Sequence, residues 1–290
     1  MAESKKAARH SEIALAVGKS DFDEHMEGMT ECEERMKSRP LVVKCYAVDD
    51  PNAPSPITTT VDNNKANTIT KLVHFVRHGQ GFHNLMADLA KEDGKTWTHC
   101  IGLSLENPNP YCMEEILDAP LTNKGREQAM ILQPTIQALD DTQKPQLVVL
   151  SPNCRALQTG VIAFDEFIGK VPFCAHEMVR EETGVHVCDQ RRPKSQQERE
   201  FPMVDFSLLS DEEDTLFEKD RRETKKEVTE RVYKFLEWLE SRDENVVGVA
   251  SHSAWLLTAF NANFEVAEES LKGWFQTGEM RSVILEFVRT

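Results

Sequence analysis

The feature that most constrains this chain is a short apolar run that stops abruptly on an arginine, a histidine and a glycine. Residues 71–84 read KLVHFVRHGQGFHN. Leu72, Val73, Phe75 and Val76 are the branched and aromatic residues of a buried strand, and a glycine turn follows at once. In open α/β sheets ligands bind beyond the carboxyl ends of the strands, so Arg77-His78-Gly79 stands where a ligand arrives. Histidine serves as a neutral nucleophile near neutral pH, a guanidinium beside it suits an anion such as phosphate, and Gly79 permits close approach of the backbone. Taken alone, the tripeptide fits a strand that ends in polar surface residues equally well.

Two further runs end the same way. Gln146-Leu147-Val148-Val149-Leu150 opens into Ser151-Pro152-Asn153-Cys154-Arg155. Ser151 suits a helix N-cap and Pro152 the first helical position, so a helix is expected to start there with Arg155 in its first turn. A cation at a helix N-terminus opposes the helix dipole, unless guanidinium and amides share an anion. Asn245–Ala250 leads into Ser251-His252-Ser253 and then the apolar helical run Ala254–Phe260. Three strands thus deliver Arg77, His78, Arg155 and His252 to one sheet edge, a set that surrounds a tetrahedral phosphoryl group.

These residues resemble the histidine phosphatase superfamily, the phosphoglycerate mutase-like fold. The similarity rests on Arg77-His78-Gly79, on Ser151-Pro152 with Arg155 and Gln158-Thr159, on Ser251-His252, and on the helix start Leu121–Ala129, in order over residues 69–290. The chain looks most like the eukaryotic and fungal phosphomutase-like branch. The resemblance implies a three-layer αβα sandwich with a mostly parallel sheet, one antiparallel edge strand, and a roof of loops and helices over the strand ends. It implies that His78 is the nucleophile and forms a phosphohistidine that water hydrolyses. Arg77, Arg155 and His252 bind the phosphate oxygens, and Asn84 assists them. Glu181 is the acid that protonates the leaving alcohol, with Glu182 the alternative; both also read as plain loop glutamates. The chain departs from the family pattern at Gln80 and at Ser253, which sit beside the pocket and bear on substrate choice, Ser253 as a binding residue. No metal or cofactor is implied.

Composition bounds the rest. A net charge of −15 over 290 residues argues against nucleic acid or an anionic membrane as partner. A phosphorylated small molecule then needs a local positive pocket, from the arginines above and from Arg191, Arg192 and Lys194. Seven cysteines without a Cys-x-x-Cys pair, and no run of 18 apolar residues, suit a reducing, cytoplasmic setting. Residues 1–20 mix Lys5, Lys6 and Arg9 with Glu3 and Glu12, which weighs against a transit peptide.

Along the chain, residues 1–68 read as a charged extension and linker, and 69–290 as the catalytic domain. The acidic block Asp21–Glu34 is expected as a solvated helix at most, Leu41–Val48 as an edge strand, and 49–70 as a loop. Pro134 is expected to interrupt a helix over Thr122–Leu139. Lys225–Ser241 is amphipathic, with Val228, Val232, Phe235, Leu236 and Leu239 facing the core. Ser282–Val288 is expected as an antiparallel edge strand. The connections 85–119 and 184–222 form the roof. His99, Cys100, Tyr111 and Cys112 in the first match no zinc spacing. A phosphomonoesterase is the first functional reading, a phosphoglycerate-type mutase the second, and a non-catalytic phosphate-binding protein the third.

Overall fold

Leu72, Val73, Phe75 and Val76 are all but inaccessible within strand β2 (Thr68–Arg77). The computed structural model describes residues 25–55, 68–93 and 109–289. In it, β2 pairs in parallel with β5 (Val246–Ser251), β5 with β3 (Leu147–Leu150), and β3 with β4 (Phe173–Ala175). On its other side β2 takes β7 (Met280–Arg289) antiparallel; β7 takes β1 (Leu41–Ala47) antiparallel, and β1 pairs in parallel with β6 (Phe264–Val266). The sheet has seven strands in the order β4-β3-β5-β2-β7-β1-β6, with β7 alone running against the others.

Alternate residues of these strands feed two cores, as a period-two strand buried on both faces must. Val73, Phe75, Leu147, Val149, Val247 and Val249 pack against α6 (Lys225–Glu240) and α7 (Ser253–Thr258). Val76, Val148, Leu150 and Ala250 pack against α3 (Asn123–Gln137) and α4 (Cys154–Ala163). That is the expected three-layer αβα arrangement. Val228, Val232, Phe235, Leu236 and Leu239 of α6 are buried as anticipated, each contributing about 1.5–3 kcal/mol. Thr224 and Glu227 close a capping box at its start.

Several expectations are corrected. The antiparallel strand is β7, but it lies inside the sheet rather than at its edge. Its Val283, Ile284, Leu285 and Phe287 are buried, and both rows of its backbone groups find strand partners. Nor is β1 an edge, because β6 covers it over Val43–Cys45. The acidic block ends in a packed helix, α1 (Met29–Lys37), not a solvated one: Met29, Cys32 and Met36 share a buried face. Residues 1–68 therefore contribute a strand and a helix to the body of the fold. Pro134 sits exposed within α3 without breaking it, since the bond it cannot donate faces water. Helix α4 begins at Cys154 with Asn153 as N-cap, later than Ser151. Trp97, His99 and Cys100, like residues 1–24, lie outside the described residues.

Register places the site. Leu150 lies opposite Ala250, and Arg77 opposite Ser251, so β3, β5 and β2 end side by side. Because β7 runs the other way, the segment entering it, 273–279, reaches the same edge. Helix α2 (Phe82–Glu92) follows β2 after the glycine turn. A short helix α5 (Lys194–Glu200) lies in the connection that follows β4.

Candidate active site

His78 is 1% exposed, and its backbone N–H donates to Ser251 O at 3.0 Å across the strand ends. Its Nδ1 lies 2.7 Å from the carbonyl oxygen of Gly79. A carbonyl only accepts, so Nδ1 carries the proton and Nε2 keeps its lone pair. Arg155 Nε donates to that Nε2 at 3.2 Å. Burial, followed by the charges of Arg155 and Arg77, pushes the imidazole well below its ordinary pKa, so the ring is a neutral base and nucleophile. A Cβ on Gly79 would overlap the Gly125 carbonyl, and one on Gly125 would overlap the Gln80 carbonyl. That mutual approach is why the turn after His78 and the start of α3 are both glycine.

Arg155 stands in the first turn of α4, as expected. Its Nη1 donates to Cys188 O at 2.6 Å and its Nη2 to Asp189 Oδ1 at 2.7 Å. Burial works against its charge, but the groups around it, Asp189 first among them, together outweigh burial and hold the guanidinium above its ordinary value. Asp189 also accepts from Arg222 Nη1 at 2.8 Å. Burial opposes the Asp189 carboxylate too; Arg222, Arg155 and His186 outweigh it and keep its pKa low. Arg77 donates through Nη1 to Phe275 O at 2.7 Å, and its Nε is buried without a partner. Burial draws its pKa down to about 10.

His252 completes the set at 5.0 Å from His78, ring centre to ring centre. Its Nε2 meets Ser151 Oγ at 2.7 Å, and its buried Nδ1 has no partner. When the Ser151 hydroxyl donates to Nε2, Nδ1 carries a proton that lacks an acceptor. Ser151 therefore orients His252 rather than capping a helix. The α4 amide at Cys154 is instead capped by Asp118, whose Oδ1 accepts at 2.8 Å.

Glu181 enters at the start of α7. Its Oε1 accepts from the backbone N–H of Ala254 (3.0 Å), Trp255 (3.1 Å) and Glu182 (3.1 Å), and Oε2 accepts from Ser253 Oγ at 3.1 Å. Among these contacts the Ser253 hydroxyl alone accepts as well as donates. Arg231 fixes the segment by donating to Arg180 O and Glu181 O. Glu182 turns away and is ion-paired with Arg222 (3.2 Å) and Lys225. Burial would raise its pKa; Lys225 and Arg222 outweigh that and hold it at about 2. A carboxyl so held is a poor proton donor.

A cavity of about 270 Å³ opens above this constellation, lined by Arg77, Asn84, Arg155, Glu181 and Ser253 among others. His78 and His252 are not part of its lining. Asn84 Oδ1 accepts from the Gly81 N–H at the start of α2, while the residue still faces the cavity. Arg191, Arg192 and Lys194 do not reach it. Arg191 pairs with Glu177 and donates to carbonyls of Asp211, Glu212 and Glu213; Arg192 pairs with Asp118 and Glu200; Lys194 donates to Leu209 O. These cations are engaged by carbonyls of their own connection and by carboxylates both within it (Glu200) and outside it (Glu177 and Asp118). Arg222, Lys124, His25, His83, His186 and Trp274 line the cavity and were not anticipated. His83 lies 5.5 Å from His78, ring to ring, and its position in KLVHFVRHGQGFHN was the available signal. His186 is set by Gly184 at φ 89° and Val185 at φ 59°, a left-handed pair; a Cβ on Gly184 would strike the Arg221 carbonyl. No group of three or more His, Cys, Asp or Glu among the described residues is arranged to hold a metal.

A buried neutral histidine flanked by two arginines and a second histidine at parallel strand ends is an arrangement suited to a tetrahedral anion. A family model for the histidine phosphatase superfamily (branch 1) matches residues 104–288, and the chain belongs to that superfamily. It is 32% identical over 245 residues to Phosphoglycerate mutase-like protein 1 of Arabidopsis thaliana, covering 74% of this chain and 81% of that one. It is 28% identical to the Phosphoglycerate mutase-like protein of the same plant, covering 74% and 84%. A solved structure, a putative alpha-ribazole-5'-P phosphatase from Escherichia coli, aligns with TM-score 0.45 and 16% identity over 76% of this chain and 96% of that one. Membership supports a phosphatase- or mutase-type activity.

Proposed function

We propose that the chain is a phosphomonoesterase acting on a small phosphorylated metabolite through a phosphohistidine at His78. The observation that carries this is the fixed tautomer of His78: Gly79 O holds the Nδ1 proton, leaving Nε2 a lone pair between Arg77 and Arg155. An entering ester takes over the Arg155 Nε donor, the unpartnered Arg77 Nε supplies a further donor to the phosphoryl oxygens, and His252 Nδ1 joins it in the tautomer in which Ser151 donates to Nε2. The Nε2 lone pair then forms the P–N bond as the P–O bond to the alcohol breaks. The departing alkoxide takes a proton from Glu181 Oε2, which when protonated donates to Ser253 Oγ, the reverse of the bond the carboxylate accepts. Water attacks phosphorus next, giving its proton to Glu181, and cleavage of the P–N bond returns neutral His78 and inorganic phosphate. Arg77 and Arg155 neutralise the anion, so the scheme needs neither metal nor cofactor.

A mutase is the second reading, favoured by Lys124 and Arg222 in the cavity lining, which would hold the second anion of a phosphorylated acceptor. Rapid quench with labelled substrate tests the first reading: an acid-labile, base-stable phosphoenzyme is expected, absent in His78→Ala. Full phosphate release by His78→Ala would overturn it, and fast 2- to 3-phosphoglycerate interconversion with negligible phosphate release would favour the mutase.

A further inference from the structure

The cavity has a wall that this chemistry leaves unused. Trp274 lines it and is 9% exposed, yet its indole Nε1 is buried without a partner. An indole N–H only donates, and a buried donor left without an acceptor is costly. The segment is held in place by Arg281, which donates to Leu271 O (2.9 Å), Gly273 O (2.7 Å) and Trp274 O (3.0 Å) and lies 3.8 Å over the Phe275 ring. On one side the Arg77 guanidinium approaches the indole at 5.6 Å. On the other, His25 meets it edge-on at 5.3 Å and itself lines the cavity. Met26 anchors this arm, packing on Leu257 and Trp274 and against Met29, Cys32 and Ala262.

We infer that His25 and Trp274 form the specificity wall that receives the alcohol part of the ester, with Trp274 Nε1 donating to an acceptor oxygen on that part. The inference rests on reading His78 as phosphoryl acceptor, which fixes the phosphate end of the cavity beside Arg77. The indole lies beside Arg77, so the wall borders the phosphate and meets the alcohol where it leaves the phosphoryl group. It selects oxygen-rich alcohols such as sugars and hydroxy acids over apolar aryl groups, which offer the indole N–H nothing. The arm before α1 is thereby part of the site.

The test is a binding titration on full-length His78→Ala protein, with inorganic phosphate, phenyl phosphate, glucose 6-phosphate and 3-phosphoglycerate as probes. At least one of the two oxygen-rich esters is expected to bind more tightly than phenyl phosphate. Trp274→Phe, which keeps the ring and removes the donor, should weaken that ester about five- to tenfold, with phosphate and phenyl phosphate unchanged within twofold. His25→Ala should move the same ester in the same direction, and thermal melts confirm that both variants fold. No preference for either oxygen-rich ester, or an equal loss across all probes, or no loss in either variant, would overturn the wall. Failure of the wild-type protein to release phosphate would instead overturn the catalytic reading, while these ratios would still decide the wall.

Discussion

The most exacting test of the site falls on Asp189, which touches no reacting atom. Its two oxygens bind two of the three guanidinium groups that line the cavity, Arg155 at 2.7 Å and Arg222 at 2.8 Å. With about 4 Å between charge centres and an effective dielectric of ~20, each attraction is roughly 4 kcal/mol. Desolvating three buried ions offsets much of this. Asp189→Asn keeps the shape and one acceptor oxygen but leaves Arg155 without its paired carboxylate and Arg222 with Glu182 alone. Breaking a buried pair in this way costs about 3–5 kcal/mol of stability. Arg155 is then free to move off the line to His78 Nε2, and a displacement on the order of 1 Å at such a position costs about 10²-fold in turnover. Urea unfolding would read the first effect, and kcat/KM for phosphate release by the folded protein the second. Asp189→Glu should recover part of both. If Asp189→Asn stays within twofold of wild type in kcat/KM, Asp189 does not position Arg155 for catalysis.

Three other outcomes are expected. Glu181→Gln should slow hydrolysis of alkyl phosphates by about 10²–10⁴-fold and barely affect a nitrophenyl ester, whereas Glu182→Gln should lower the melting temperature without leaving-group dependence; the opposite pattern would move the acid to Glu182. His74, His78, His83, His176 and His252 are all depressed first by burial, His176 to about 4. The unfolded chain therefore binds protons that the folded one does not as pH falls below 6.5. Stability is full above that value and drops by about 1.4 kcal/mol per unit for each such histidine down to its folded value; a melting temperature flat between pH 8 and 5 would contradict this. A chain beginning at Ile69 loses the buried Met29, Cys32, Met36, Leu41, Val43 and Cys45. At ~1.5–3 kcal/mol for each large side chain, this approaches or exceeds a typical stability of about 5–15 kcal/mol, so circular dichroism should show an unfolded or insoluble product, and native-like melting would refute the estimate.

The strands that carry the nucleophile and its partners were legible because each is a run of branched residues ending in a turn, and such runs have few other uses. Arg77, His78, Arg155 and His252 followed from those endings, and the register at Arg77–Ser251 and Leu150–Ala250 brings them together. What the sequence concealed was pairing. Leu41–Val48 and Ser282–Val288 look like strands, but nothing in either says which lies at an edge. That depends on β6, three residues long and indistinct from the helical run before it. The acidic block hid its helix for a related reason: three buried residues at helical spacing are outvoted by the charges between them, although burial of those three decides where the helix packs.

The same difficulty explains the half of the site that was missed. Charged loop residues can neutralise one another or face a ligand, and composition does not say which. Arg191 and Arg192 looked available and are consumed by Glu177, Asp118 and Glu200, while Arg222, at the far end of that connection, turns inward through Asp189. Direction of travel matters as well. If β7 ran with the other strands, the segment 273–279 would enter the sheet at the opposite edge, and neither Trp274 nor the carbonyl of Phe275 would meet Arg77. A single reversed strand thus adds a fifth segment to an edge where the parallel strands β2, β3, β4 and β5 deliver four. The arm that carries His25 reaches the site because α1 packs on the same side, against Ala262. The pocket of an acidic protein is basic here through topology: three parallel strands present arginines and histidines at one edge, and the antiparallel strand brings the chain back beside them.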